Sequence, residues 1–182
     1  MKINNTALEI VHESMMHQKV DAIVNAANPA LAGGSGITGK IFGAAGNGLP
    51  AEIQQKYPQG TPTGTAVITG GHDLTQPYII HTPGPIWHGG NSGEPDLLAS
   101  SYRSCLEVAD KAGLKSIAFC SISTGIYSYP LDKAAPLALK TVTDYLKAHP
   151  ETTLERVIFA MYGQNEYDAF VKAGAEIDGE AV

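Results

Sequence analysis

The chain has 182 residues and a formal net charge of −6, with 12 Lys and Arg against 18 Asp and Glu and no run of basic residues. Broad attachment to a nucleic-acid backbone needs clustered cations, and the charge argues against it. No apolar stretch approaches the roughly 20 residues of a membrane span, and the N-terminus lacks the charged-then-apolar pattern of a secretory leader. A cytoplasmic location is expected. The length suits one domain spanning 1–182.

In chain order, Thr6–Val11 alternates well enough for a first strand, and 12–19 connects it to the next, carrying Ser14, Met15 and Met16. The stretch from Val20 to Gly46 organises the rest. Val20, Ala22, Ile23 and Val24 form a β-branched apolar run, read as a strand buried on both faces. Asn25 and Asn28 flank two alanines, then Gly33, Gly34, Ser35 and Gly36 precede a helix predicted over Lys40–Ala45. Strand, glycine loop and helix bring backbone N–H groups and a helix N-terminus up to an anion. A phosphate-bearing ligand fits that arrangement.

A helix is predicted over Pro50–Tyr57, followed by a Pro- and Gly-rich loop and strands over Thr65–Thr69 and Tyr78–Thr82. His81, at a strand end before a proline-rich turn, reads as a packed structural residue rather than a base. The loop HGGNSGEP at 88–95 is expected to be mobile and to border the site. Leu98, Tyr102, Cys105 and Ala109 recur at helical spacing, giving a helix over Asp96–Lys111 that Gly113 ends. A strand over Ser116–Ser121 delivers a second polar loop, Ser121 to Tyr127, at the carboxyl end where ligands of open α/β sheets collect. A packing helix over Leu131–Lys147, a last strand over Leu154–Met161 and a short helix over Glu166–Lys172 complete the series. Cys105 and Cys120 have no metal-ligand spacing around them and read as buried free thiols, and no cofactor is called for.

Asn25-Ala26-Ala27-Asn28, Gly33-Gly34-Ser35-Gly36, Ala44-Ala45-Gly46, the segment His81 to Trp87 and the loop Ser123 to Tyr127 occur in one order. That set resembles the macrodomain family, modules that bind ADP-ribose and in many members hydrolyse its esters and glycosides. The resemblance implies a three-layer α/β/α sandwich with a mixed, mostly parallel sheet. It also implies that Asn28 binds the distal ribose, that Gly33, Gly34, Ser35, Gly36 and Ile37 with Ser123, Thr124, Gly125, Ile126 and Tyr127 cradle a diphosphate, and that Tyr162 and Asn165 lie near adenosine. Ser14, Met15 and Met16 stand where the family usually has an Asp-Ile-Thr triplet whose aspartate reads adenine, with Glu13 beside them.

Thr38 stands where hydrolytic relatives usually have aspartate, and Phe42 where they often have histidine. Threonine is no general base at neutral pH, and losing such a group costs a factor of roughly 100 to 10,000 in rate. Two function classes follow from the resemblance. One is a hydrolase of ADP-ribosyl esters, acting on ADP-ribosylated protein or on O-acetyl-ADP-ribose as a deacetylase, with Asn28 and Thr38 as catalytic candidates. The other is a non-catalytic reader of ADP-ribose or a related nucleotide.

Overall fold

The computed structural model describes residues 1–180. Its strands are β1 (Lys2–Ile3), β2 (Thr6–Val11), β3 (Ala22–Ala27), β4 (Val67–Gly70), β5 (Tyr78–Pro83), β6 (Ser116–Phe119) and β7 (Arg156–Ala160). They form one sheet in the order β1-β2-β7-β6-β3-β5-β4. The pairs from β2 through β7, β6 and β3 to β5 are parallel, while β1 and β4 pair antiparallel at the two edges.

The helices are α1 (Gly36–Ala45), α2 (Gly48–Lys56), α3 (Glu94–Lys111), α4 (Leu131–Ala148) and α5 (Gln164–Glu180). Strand alternation decides which side chain meets which layer. In β3, Ala22 and Val24 join the cluster containing Leu98, Tyr102 and Leu139 of α3 and α4, while Ile23 and Ala27 join Ile41, Leu49 and Ile53 of α1 and α2. The result is the three-layer α/β/α arrangement expected from the sequence.

The layer under α3, α4 and α5 is aromatic at its centre. Phe119 stacks on Phe159 with centroids 5.4 Å apart, and Tyr102 and Phe170 tilt against Phe159. Each ring is fully buried, and burying such a side chain stabilises by about 1.5–3 kcal/mol. This core holds the carboxyl ends of β6 and β7 at fixed height, and those ends carry the site.

Several elements differ from the sequence reading. Helix α1 begins at Gly36 rather than Lys40, so the last glycine of the loop is already the first helical residue. The last helix runs 17 residues, from Gln164 to Glu180, rather than ending at Lys172. Gly174 weakens helix propensity, yet Phe170 and Ala173 are buried and Ile177 packs on the core. A Cβ at Gly174 would lie 3.1 Å from Ile10 Cδ1, so the small residue is what lets α5 lie close to β2. Strand β1 and a short 3-10 turn at Met15–His17 had no distinct sequence signal. The loop from His88 to Gly93 is fastened: Glu94 accepts hydrogen bonds from the backbone N–H of His88, Gly90 and Ser92 at 2.8, 2.9 and 2.6 Å.

Candidate functional site

A cleft of about 400 Å³ opens over the carboxyl ends of β3, β6 and β7. Its first wall is the segment Gly34 to Thr38, where the chain leaves β3 and enters α1. Ser35 caps α1 without a side-chain hydrogen bond, so the N–H groups of the first turn are free for a guest. A helix N-terminus of this kind favours an anion by about 0.3–1 kcal/mol, more when partly buried. The close fit depends on Gly39: a Cβ there would meet Gly34 O at 2.5 Å. Any other residue would push the loop off the helix.

The second wall is the loop after β6. Ser123 holds a left-handed backbone at φ 69°, and the loop closes through Tyr129 N to Ser123 O at 3.0 Å and Ser128 N to Gly125 O at 3.0 Å. It is tied to the neighbouring segment by Trp87 N donating to Tyr127 O at 2.9 Å. Gly84 permits this packing, because a Cβ there would lie 2.2 Å from Ser123 Oγ. That hydroxyl is buried with no hydrogen-bond partner among the described residues, and it sits in the cleft wall. Ile126, at the loop's tip, is 86% exposed.

Asn28 lies at the β3 end of the cleft. Its Oδ1 accepts from Ala32 N at 3.0 Å and its Nδ2 donates to Ala32 O at 3.1 Å, which shapes the loop that follows. A primary amide has two donors and two acceptor lone pairs. One donor and one lone pair therefore remain, the complement of a ribose diol.

Thr38 is 7% exposed and its hydroxyl lies 3.0 Å from both Asn25 Oδ1 and Ala26 O. The single hydroxyl proton goes to one of them at a time. Asn25 Nδ2 lies 3.1 Å from His81 Nδ1, and His81 Nε2 lies 2.9 Å from Thr69 Oγ1. With Asn25 donating to Nδ1, the His81 proton resides on Nε2 and is donated to Thr69. Burial lowers the His81 pKa to about 4, so the ring is neutral and works as a spacer between β3 and β4. His81 is fully buried and absent from the cleft wall, in keeping with a structural residue.

The β7 end of the cleft is formed by Met15, Ala160 and Tyr162, with Ser14, Cys120 and Glu166 around them. Tyr162 is 71% exposed, and Lys40 Nζ lies 4.8 Å from its ring centroid. That contact spans from α1 to the end of β7. Ser14 Oγ accepts from Met16 N at 3.2 Å, capping the short turn. Glu13 does not reach the cleft; it bonds Gln18 Nε2 at 3.3 Å. Cys120 lies one residue beyond β6 and lines the cleft, so it is not the wholly interior thiol the sequence suggested, while Cys105 is buried in α3. Burial pushes the Cys120 thiol up to about 12, which leaves it a poor nucleophile.

The structure thus gathers Ser14, Met15, Asn28, Gly34, Ser35, Gly36, Ile37, Thr38, Ser123, Thr124, Gly125, Ile126, Tyr127 and Tyr162 around one cleft. Two sequence candidates lie outside it. Gly33 packs beside Phe42, where a Cβ would lie 3.5 Å from the ring, and Asn165 is exposed in the first turn of α5, which begins at Gln164 rather than Glu166. Sequence reasoning missed Lys40, Gly84 and Glu166, which also line the cleft, as does Ser121 at the start of the loop that it singled out. Gly39 was also missed, though a glycine inside a helical pattern asks for a packing reason.

The macro domain family model matches residues 24–138. A macro domain-containing protein of Caldanaerobacter subterraneus is 43% identical over 173 residues, 94% of this chain and 97% of its own length. An O-acetyl-ADP-ribose deacetylase of Cronobacter sakazakii is 46% identical over 151 residues, 81% of this chain and 82% of its own. The structure is also similar to a mutant of the Oceanobacillus iheyensis macrodomain with ADP-ribose, at 36% identity and a TM-score of 0.91, covering 98% of this chain and 97% of that one. The strand order, the free α1 N-terminus, the two facing loops and these likenesses agree: the chain belongs to the macrodomain family.

Proposed function

We propose that the cleft binds ADP-ribose and that the chain hydrolyses ADP-ribosyl esters, on proteins or as O-acetyl-ADP-ribose, the whole chain acting as one macrodomain. The observation that carries this reading is the pairing of the free α1 N-terminus with the Ser123–Tyr127 loop across the cleft. Two sets of backbone donors suit two linked phosphates. The distal ribose then falls at Asn28 and the base at Met15 and Tyr162. The deacetylase name of the Cronobacter relative and the ADP-ribose of the Oceanobacillus structure support the same ligand.

In hydrolysis a water oxygen adds to the ester carbonyl, and the ribose hydroxyl leaves with a proton. Asn28 would orient the ribose bearing that ester through its unused donor and acceptor. Thr38 would act through Asn25 and the end of β3, since its hydroxyl is committed there. This makes it a positioning residue rather than the base.

That commitment also favours a second reading, a non-catalytic reader of ADP-ribose. Among the described residues lining the cleft the one carboxylate is Glu166, and β7 lies two strand spacings from β3, about 10 Å. The test is release of ADP-ribose from a protein ADP-ribosylated on glutamate, together with deacetylation of O-acetyl-ADP-ribose. Turnover that Asn28→Ala lowers at least ten-fold supports the hydrolase. Tight binding with no turnover supports the reader.

A further inference from the structure

Glu166 stands in the first turn of α5 and is one of the residues lining the cleft. Among the described residues no group donates a hydrogen bond to it and no cation pairs with it. It is half-buried, and its pKa is raised by burial alone. It faces Cys120 and Tyr102 closely enough to influence both thiol and phenol. Gly163 leaves the room for this placement, because a Cβ there would lie 3.3 Å from Glu166 Oε1. A carboxylate taken partly out of water without a donor is costly unless a ligand supplies one.

Its position narrows what that donor is. The phosphate-binding walls lie at the α1 N-terminus and the loop after β6, so the β7 end is left for the part of the ligand beyond the phosphates. That end offers apolar Met15 and Ala160, an aromatic ring at Tyr162 and the Glu166 carboxylate. A flat heteroaromatic base suits the first three. Ser14 Oγ already accepts from Met16 N, and an ionised carboxylate is a stronger acceptor than the Ser14 or Tyr162 hydroxyl, so Glu166 is the strongest acceptor at that end.

We propose that Glu166 selects the nucleobase, its carboxylate accepting a hydrogen bond from the exocyclic amino group of an adenine seated at the β7 end of the cleft. The inference rests on the ADP-ribose reading above and names the residue that confers base preference within it. An ionised carboxylate accepts and does not donate. A base bearing a carbonyl in place of the amino group would set oxygen against oxygen and be rejected.

The experiment is calorimetric titration of wild type, Glu166→Ala and Glu166→Gln with ADP-ribose and with its inosine counterpart, in which a carbonyl replaces the amino group. Wild type is expected to prefer ADP-ribose by about ten-fold or more, as befits a hydrogen bond to a charged acceptor. Glu166→Ala removes no bond within the protein, and it should bind ADP-ribose about ten-fold more weakly with the preference gone. Glu166→Gln should restore ADP-ribose binding to within about three-fold and also accept the inosine ligand, because an amide both accepts and donates. A Glu166→Ala variant with unchanged ADP-ribose affinity and unchanged preference would overturn this inference alone. A wild type that binds neither ligand would overturn the proposed function and this inference with it.

Discussion

Thr38 Oγ1 stands 3.0 Å from Asn25 Oδ1, joining the first turn of α1 to the last residues of β3. The bond continues through Asn25 to His81 and Thr69, so the helix end that faces the cleft is tied to the edge strand β4. Residue 38 therefore holds the cleft-facing end of α1 in place, and its chemistry is that of a donor.

Replacements at this position should follow that role. Thr38→Ser keeps the donor and should cost about 1 kcal/mol or less, whereas Thr38→Val strands Asn25 Oδ1 and should cost about 1–2 kcal/mol. Thr38→Asp sets a buried carboxylate against two acceptors and should cost about 3 kcal/mol or more. Urea unfolding midpoints at pH 7 check the order. An aspartate variant as stable as wild type would contradict the donor role.

His81 makes stability depend on pH. Its folded pKa of about 4 lies below the ordinary value of 6.5, so the unfolded chain takes up the proton first as pH falls. The stabilisation is complete above pH 6.5 and is lost on going down to about pH 4, amounting to about 3 kcal/mol. Unfolding free energies of wild type and His81→Gln measured at pH 7, 5.5 and 4.5 test this. The variant should be the less stable at pH 7 and should lose less on acidification.

Glu94 governs the loop from His88 to Gly93. Burial alone would raise its pKa, but the backbone N–H groups of His88, Gly90 and Ser92 outweigh that and bring it down to about 2. Its contribution is present above the ordinary carboxylate value of 4.5 and disappears as pH falls through about 2. Glu94→Ala should expose the loop to proteolysis and speed hydrogen exchange at Gly90 and Ser92. Unchanged exchange at both amides would refute the fastening.

Gly39 tests the cleft's first wall. A Cβ would have to displace the Gly34 carbonyl from 2.5 Å, so Gly39→Ala should cost about 1–3 kcal/mol. It should also weaken ADP-ribose binding at least ten-fold by moving the loop. Calorimetry and thermal melting read the two effects separately. Wild-type affinity in this variant would show that the loop does not contact the ligand.

Much of this architecture is legible in the chain because apolar spacing carries it. Leu98, Tyr102, Cys105 and Ala109 mark the buried face of α3, and Ala22, Ile23 and Val24 belong to a strand covered on both sides, which starts two residues after Val20. The asparagine and glycine motifs place the first wall because strand, glycine loop and helix follow one another directly in the chain, although the close approach at Gly39 shows only in the structure. What stayed hidden depends on tertiary direction. Glu166 and Asn165 are neighbours in the first turn of α5, yet one lines the cleft and the other faces solvent, and a difference of 100° around a helix is decided by how α5 docks. Likewise nothing local to Thr38 reveals that its hydroxyl turns to β3. The length of α5 was hidden because Gly174 looks like a stop until Ile10 is seen beneath it.

The most direct test of the account is calorimetric titration of the purified protein with ADP-ribose, with AMP and ADP as controls. Micromolar affinity, about −8 kcal/mol, and a clear preference for ADP-ribose over both controls is the predicted result, since the α1 N-terminus, the Ser123–Tyr127 loop and Asn28 would each be engaged. Absence of binding, or AMP binding as tightly as ADP-ribose, would contradict it.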